Sequence, residues 1–213
     1  GASEGFQVFD VRATAAGMVW VEANILKGLW RVLAAPLTGA DLGAPVLVAQ
    51  GDGAWQMPTL AAVGGYAFWQ EMPQEEGPMA DEPSRLMRAP FGSGTAEELY
   101  SSKGTMATAP YAGRDCVVIT PRAERGKSYH QLTRLDAATG QATDTLVLPM
   151  SMKPLDAGWG PAGFTFSFDG IYNYGGGIRN LGTYTPIALP GSDLTGLDAA
   201  VAYDSAQWFH FTR

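Results

Sequence analysis

Apolar residues along this chain gather in short runs separated by polar, glycine-marked breaks. Five runs stand out: Met18-Val19-Trp20-Val21, Tyr66-Ala67-Phe68-Trp69, Cys116-Val117-Val118-Ile119, Phe164-Thr165-Phe166-Ser167-Phe168 and Trp208-Phe209-His210-Phe211. Their first residues are separated by 48, 50, 48 and 44 positions, a step that random turn placement does not keep. Before each lies a half-apolar segment: Phe9 to Ala15, Leu60 to Val63, the neighbours of Tyr111, the neighbours of Trp159, and Ala199 to Tyr203. Tight turns such as Gly64-Gly65 and Ala162-Gly163 join the two, which predicts a hairpin in each unit. A second hairpin follows in four units. It pairs Trp30 to Ala35 with Val46 to Ala49, Arg85 to Ala89 with Glu97 to Tyr100, Gln131 to Asp136 with Thr145 to Leu148, and Ile178 to Thr183 with Thr185 to Leu189. No stretch of useful length has a helical period.

Four strands in about 48 residues, repeated in tandem, predict an all-β fold and specifically a β-propeller. A strand with one wet face alternates apolar and polar residues, whereas the anchor runs suit strands buried on both faces between neighbouring blades. The third and fourth strands do alternate, and they place Arg31, Arg88, Arg134 and Arg179 toward the wetter outer part of each blade. A two-sheet sandwich with a chance period is the alternative. The expected units are residues 6–53, 54–104, 105–152, 153–196 and a partial 197–213, which makes a five-bladed propeller with an incomplete last blade. An apolar last strand left as an open edge invites aggregation. The fifth blade is therefore expected to be short, or completed by residues upstream or by a second copy of the chain. Four full blades with an appended hairpin is the neighbouring arrangement.

The turn Leu135-Asp136-Ala137-Ala138-Thr139-Gly140, with the repeat that carries it, resembles the repeats of Tol-type periplasmic and quinoprotein-like propellers. The resemblance implies a propeller of the cell envelope and carries over no catalytic residue.

Composition narrows the chemistry. Hydrophobic residues make up 46% and charged ones 16% of 213, enough apolar material for a core and too little charge for disorder. With 27 Gly and 14 Pro the chain is rich in turns. A formal charge of -7 disfavours nucleic acid and anionic lipid as partners. The single cysteine, Cys116, excludes an intramolecular disulfide or a multi-thiolate metal site. No apolar run reaches membrane-spanning length, and no cofactor motif occurs. The chain opens on Gly-Ala-Ser-Glu without an initiator Met, so residues upstream, any signal or anchor among them, are expected to be missing from it, and together with the resemblance to periplasmic propellers this favours an extracytoplasmic setting.

In a propeller the loops after the second strand and those between blades lie on one face, where function collects. The longest, Glu71 to Pro83, holds five carboxylates but lacks the spacing of a calcium loop, and reads as a solvated acidic insertion. The corresponding loop, Asp169 to Gly177, sets Tyr172 and Tyr174 beside three glycines, the composition of a recognition surface. Trp55 and Trp159 enter new blades and either line the mouth or plug the gap between blades. Glu22, Glu71 and Asp169 fall near the ends of equivalent strands, and acids converging from different blades are what glycoside hydrolysis needs. His130 and His210 lie on strands with no ligand partner at metal spacing, and Cys116 opens a buried strand. Gly175-Gly176-Gly177 opens no helix and is no phosphate cradle. The expected function is a non-catalytic ligand- or protein-binding scaffold of the cell envelope, with protein or carbohydrate as partner, no cofactor and no metal. A carbohydrate-active hydrolase using Glu22, Glu71 or Asp169 is the alternative.

Overall fold

The computed structural model describes residues 5–123, 129–148, 152–161, 163–174, 177–184 and 187–188, with Met152 and residues 168–188 described by backbone alone. Apart from one 3-10 turn at Ile25–Lys27, every described element is a strand. The first sheet holds β1 (Gln7–Ala13), β2 (Gly17–Asn24) and β3 (Leu29–Thr38), with β4 (Asp41–Leu42) and β5 (Val46–Gly51) both pairing β3. The second is a meander of β6 (Leu60–Val63), β7 (Tyr66–Glu71), β8 (Ser84–Pro90) and β9 (Glu97–Ser102). The third runs β10 (Tyr111–Ala112), β11 (Cys116–Ile119), β12 (Gln131–Asp136) and β13 (Ala142–Val147). The fourth holds β14 (Met152–Gly160), β15 (Gly163–Tyr174), β16 (Gly177–Tyr184) and β17 (Ile187–Ala188). Each described pairing within these sheets is antiparallel, so the chain is all-β and built of consecutive small sheets of the kind that form propeller blades.

The burial pattern explains why the second strand of each sheet is so apolar. All four residues of β11 are buried, as are Ala67 to Gln70 of β7. A strand covered on both faces has no position at which a polar residue reaches water. The third strands alternate instead, as β3 and β8 show. The chain divides into two compact units. One comprises Gly1–Thr105, Ala112–Val117 and Asp136–Gln141, and its core gathers Val19, Val21, Val32, Leu60 and Trp69. The other comprises Met106–Tyr111, Val118–Leu135 and Ala142–Arg213, and its core gathers Val118, Leu132, Leu146, Phe164 and Phe166. Each fully buried side chain of this size contributes about 1.5–3 kcal/mol.

Local chemistry sets the turns. Gly64, at φ 56°, makes the tight β6–β7 connection that a side chain would strain. Between β12 and β13, Asp136 Oδ1 accepts from the backbone N–H groups of Ala138 at 3.0 Å and Thr139 at 2.7 Å, an Asx turn that Gly140 closes at φ 74°.

Three expectations need correction. The stretch Asp169 to Gly177 is a hairpin arm and not a loop: β15 continues to Tyr174, and β16 begins at Gly177. Apolar and aromatic residues at alternate positions carry the strand through, and Gly170 falls where the register slips between Asp169 and Ile171. The segment expected as the fourth outer strand, near Thr185 to Leu189, does not extend this sheet outward. Its β17 portion pairs back on β15, at Phe164 and Thr165, because β16 occupies only the stretch from Phe168 to Tyr174 and leaves the start of that edge open. Arg88 is not on a wet outer surface. It is only 5% exposed, since its guanidinium is drawn inward by backbone carbonyls. The expected fifth unit, with His210, lies outside the described residues, and so do Gly175 and Gly176 of Gly175-Gly176-Gly177.

Candidate functional site

The first two sheets share a motif near the ends of their second strands, Trp20-Val21-Glu22 and Trp69-Gln70-Glu71. Residues two apart on a strand face the same side. Trp20 Nε1 accordingly donates to Glu22 Oε1 at 3.0 Å, and Trp69 Nε1 to Glu71 Oε1 at 2.8 Å. The registers agree: Glu22 pairs Arg31 as Glu71 pairs Arg85, and Gly17 pairs Pro36 as Tyr66 pairs Pro90. Tyr66 is therefore the counterpart of Gly17, one residue away from the Met18 anchor that the apolar runs suggested. Trp20 and Trp69 are 49 positions apart, while Arg31 and Arg85 are 54 apart, and the longer connection at 72–83 absorbs the difference.

From here the two sheets diverge. Arg31 closes on Glu22, whose Oε2 accepts from both Nε, at 2.7 Å, and Nη2. The guanidinium also lies over the Phe6 ring, 4.3 Å from its centroid. Arg85 is drawn instead to Glu98, at 3.2 Å from its Nε, and to Glu82, at 3.3 Å from its Nη2, and sits 5.8 Å from the centre of the Trp55 ring.

Beside Arg31 lies a cavity of about 480 Å³. Phe6, Trp30 and Trp55 give it aromatic walls, and Arg31, Gln50 and Asp52 give it polar groups. Trp30 and Gly51 face each other across β3 and β5, and the indole packs where a side chain would stand: a Cβ on Gly51 would come 2.3 Å from Trp30 Cζ2. Trp30 Nε1 is buried without a hydrogen-bond partner, an unmet donor in the indole that forms one wall. The segment after β5 is folded by its own hydrogen bonds. Trp55 N donates to Asp52 O at 3.0 Å, Asp52 Oδ1 accepts from Ala54 N at 3.0 Å, and Trp55 bridges Pro73 of the acidic connection. These bonds hold Trp55 at the cavity and Asp52 next to it.

The residues singled out from the sequence separate into different surroundings. Trp55 lines the cavity, while Trp159 packs against the core of the second unit, with Phe164 edge-on at 5.0 Å and Arg134 over its ring at 4.8 Å. Glu22 is 5% exposed, and both its oxygens are engaged by Trp20 and Arg31. Glu71 accepts from Trp69 within its own sheet, so no described hydrogen bond joins these two acids. Asp169, Tyr172 and Tyr174 stand on β15, where Asp169 is in register with Lys153 and Tyr172 with Arg179. In the acidic connection, Glu75 accepts from Thr105 Oγ1 at 3.2 Å and Glu82 holds Arg85. Among the described residues no three His, Cys, Asp or Glu side chains gather as a metal site, and no helix is long and apolar enough to cross a membrane.

His130 is buried, and its pKa is lowered from 6.5 to about 4 by desolvation first and then by the charges of Arg122 and Lys153. It is a neutral packing residue at physiological pH. Cys116 is a buried thiol outside any disulfide. Sequence reasoning missed Phe6, Trp30 and Arg31. The signals that could have found them are the repeated Trp-x-Glu, each followed by an arginine at the start of the next strand, and a glycine placed opposite a tryptophan.

No protein-family model matches the sequence, and no curated protein matches it. Among solved structures the chain is similar to the β-propeller domain of the Trilobed protease from Pyrococcus furiosus, with TM-score 0.49 and 9% identity over 80% of this chain and 50% of that one. It is also similar to an acylaminoacyl peptidase from Pyrococcus horikoshii, with TM-score 0.49 and 10% identity over 83% of this chain and 32% of that one. A third similarity is to a prolyl endopeptidase, with TM-score 0.46 and 12% identity over 72% and 22%. The chain thus spans half or less of the length of each of these proteins.

Proposed function

We propose that this chain is a non-catalytic ligand- or protein-binding scaffold, a β-propeller domain of the cell envelope. The observation that carries the reading is the fate of the acids. Glu22 is held by an ion pair and an indole, Glu71 accepts from an indole, and the open concavity beside Arg31 is walled by aromatic rings, with Asp52 as the one carboxylate in its lining. Glycoside hydrolysis needs two carboxyl groups flanking one bond, whereas a binding site needs walls and a few oriented polar groups. In this reading the blades number five, in units of about 48 residues. The envelope setting is supported by the resemblance of the Leu135 to Gly140 turn to Tol-type and quinoprotein-like repeats. Tyr172 and Tyr174 remain contact candidates, on a hairpin arm.

The test is turnover. The purified chain is incubated with a panel of nitrophenyl glycosides and release of nitrophenol is followed. The expected rate equals that of buffer. Release that scales with protein concentration and disappears in a folded Glu71→Gln variant overturns the reading.

A further inference from the structure

We infer that the cavity beside Arg31 is a binding site for a neutral, hydroxyl-rich ring, a short uncharged saccharide; this rests on the binding reading above and names its ligand. The size suits a small molecule: about 480 Å³ falls within the range of small-ligand sites. The electrostatics then select among ligands of that size. A quaternary or primary ammonium would use the aromatic walls as a cage. Two of those walls already carry cations, however, with the Arg31 guanidinium 4.3 Å from the centre of Phe6 and the Arg85 guanidinium 5.8 Å from the centre of Trp55. The ring faces that these guanidinia cover are closed to a second cation, so the walls are not a free aromatic cage. A carboxylate or phosphate would look to the arginines. Arg31 is neutralised by Glu22 through its Nε and Nη2, Arg85 by Glu98 and Glu82, and Asp52 adds a negative charge to the lining. An anion finds no uncompensated positive charge there.

A neutral ligand with both hydroxyl donors and acceptors is left, and the lining matches it group by group. Asp52 and the Gln50 amide oxygen accept from hydroxyls, while the Gln50 amide nitrogen and Arg31 Nη1, which bonds nothing among the described residues, donate to them. The apolar C–H face of a pyranose lies against an indole as other flat apolar surfaces do, and Trp55, half-buried and held by its own backbone bonds, is the platform. Gly51 keeps the opposite side low by accepting the Trp30 ring where a side chain would otherwise stand.

The probes are methyl glycosides of glucose, galactose, mannose and N-acetylglucosamine, with methyl galacturonide as the anionic control and choline as the cationic one. Binding to the whole chain is measured by isothermal titration and by the NMR shifts of the indole N–H resonances. At least one neutral glycoside is expected to saturate with Kd on the order of 1 mM, to move the Trp30 and Trp55 indole signals, and to bind tighter than either control. Trp55→Ala and Gln50→Ala are expected to weaken it about tenfold or more, while Trp55→Phe, which keeps a ring, loses less. Gln50 is exposed, so its variant keeps the test open if Trp55→Ala fails to fold. The inference is overturned if no neutral glycoside binds, if binding is indifferent to Trp55 and Gln50, or if galacturonide or choline binds tighter. The last result would name another ligand and leave the non-catalytic binding reading standing, which turnover alone removes.

Discussion

Replacing Glu22 by Gln separates a catalytic acid from a structural one, because the two roles predict opposite outcomes for the fold. A carboxylate that only awaits substrate can become an amide with little change in stability. Glu22 is 5% exposed and accepts from Trp20 Nε1 at 3.0 Å, from Arg31 Nε at 2.7 Å and from Arg31 Nη2. An amide offers one acceptor oxygen and turns an NH2 toward whichever donor it does not serve, so one of Trp20 and Arg31 is left facing another donor. Breaking a buried pair by removing one partner costs about 3–5 kcal/mol. The Arg31 side chain is 26% exposed and regains some water, which lowers the cost to about 2 kcal/mol. The lost indole acceptor adds about 1 kcal/mol. The expected destabilisation is about 3 kcal/mol, read as a lower urea midpoint at unchanged m-value. Adding Arg31→Met to Glu22→Gln removes the stranded cation and is expected to recover most of that loss, since an apolar substitute for a buried pair is often neutral or better. A Glu22→Gln protein within about 0.5 kcal/mol of the parent would refute this reasoning. It would return Glu22 to the pool of free acids and the hydrolase alternative with it.

Arg88 tests whether backbone carbonyls or a carboxylate give a buried arginine its value. Its Nη1 donates to Ala137 O at 2.6 Å and Ala138 O at 2.8 Å, its Nε to Glu97 Oε1 at 2.7 Å, and its guanidinium covers Tyr66 at 4.5 Å. Ala137 is buried, so Arg88→Ala strands its carbonyl and is expected to cost about 3 kcal/mol, while Glu97→Gln, at a side chain 53% exposed, costs under about 1 kcal/mol. Equal losses in urea melts would show that the ion pair dominates. His130 sets a pH dependence. Its folded pKa of about 4 lies below the unfolded 6.5, so the unfolded chain binds the extra proton between these values. Its contribution is full above about pH 6.5, falls by roughly 3 kcal/mol as the pH drops to about 4, and is flat below that. His130→Gln should remove that slope from a series of melts between pH 7 and 4, and a slope that persists unchanged would place the titration elsewhere.

The legible part of this molecule is the part that periodicity and turn chemistry dictate. The runs beginning at Met18, Tyr66, Cys116 and Phe164 became β2, β7, β11 and β15 because strands buried on both faces must be apolar throughout. Asp136 and Gly140 marked their turn because an Asx bond and a positive φ are local demands. Information that depends on a partner strand was not legible. β17 looks like any outer strand until the length of β15 shows that an inner edge is open to it. Arg88 looks like a solvated residue of an alternating strand until the Ala137 and Ala138 carbonyls appear opposite it. The cavity is an extreme case, since Phe6, Arg31, Gln50 and Trp55 belong to separate stretches brought together by the registers of β1, β2, β3 and β5 and by the hydrogen bonds of the segment after β5. One clue was nonetheless in the letters. The step from Trp20 to Trp69 is 49, while the mean of the apolar anchors is near 48, and the Trp-x-Glu pair, not the apolar run, was the feature held by a side-chain hydrogen bond. An alignment of blades built on bonded pairs sets Arg31 against Arg85 and Phe6 against Trp55 at once. It thereby shows that both sheets put an arginine over an aromatic ring from the segment leading into the blade. In such a repeat the residues that differ between copies are the ones free to specialise, and Glu22 with Glu71 is that case: the same carboxylate position closes on its arginine in one sheet and, among the described residues, meets its tryptophan alone in the other.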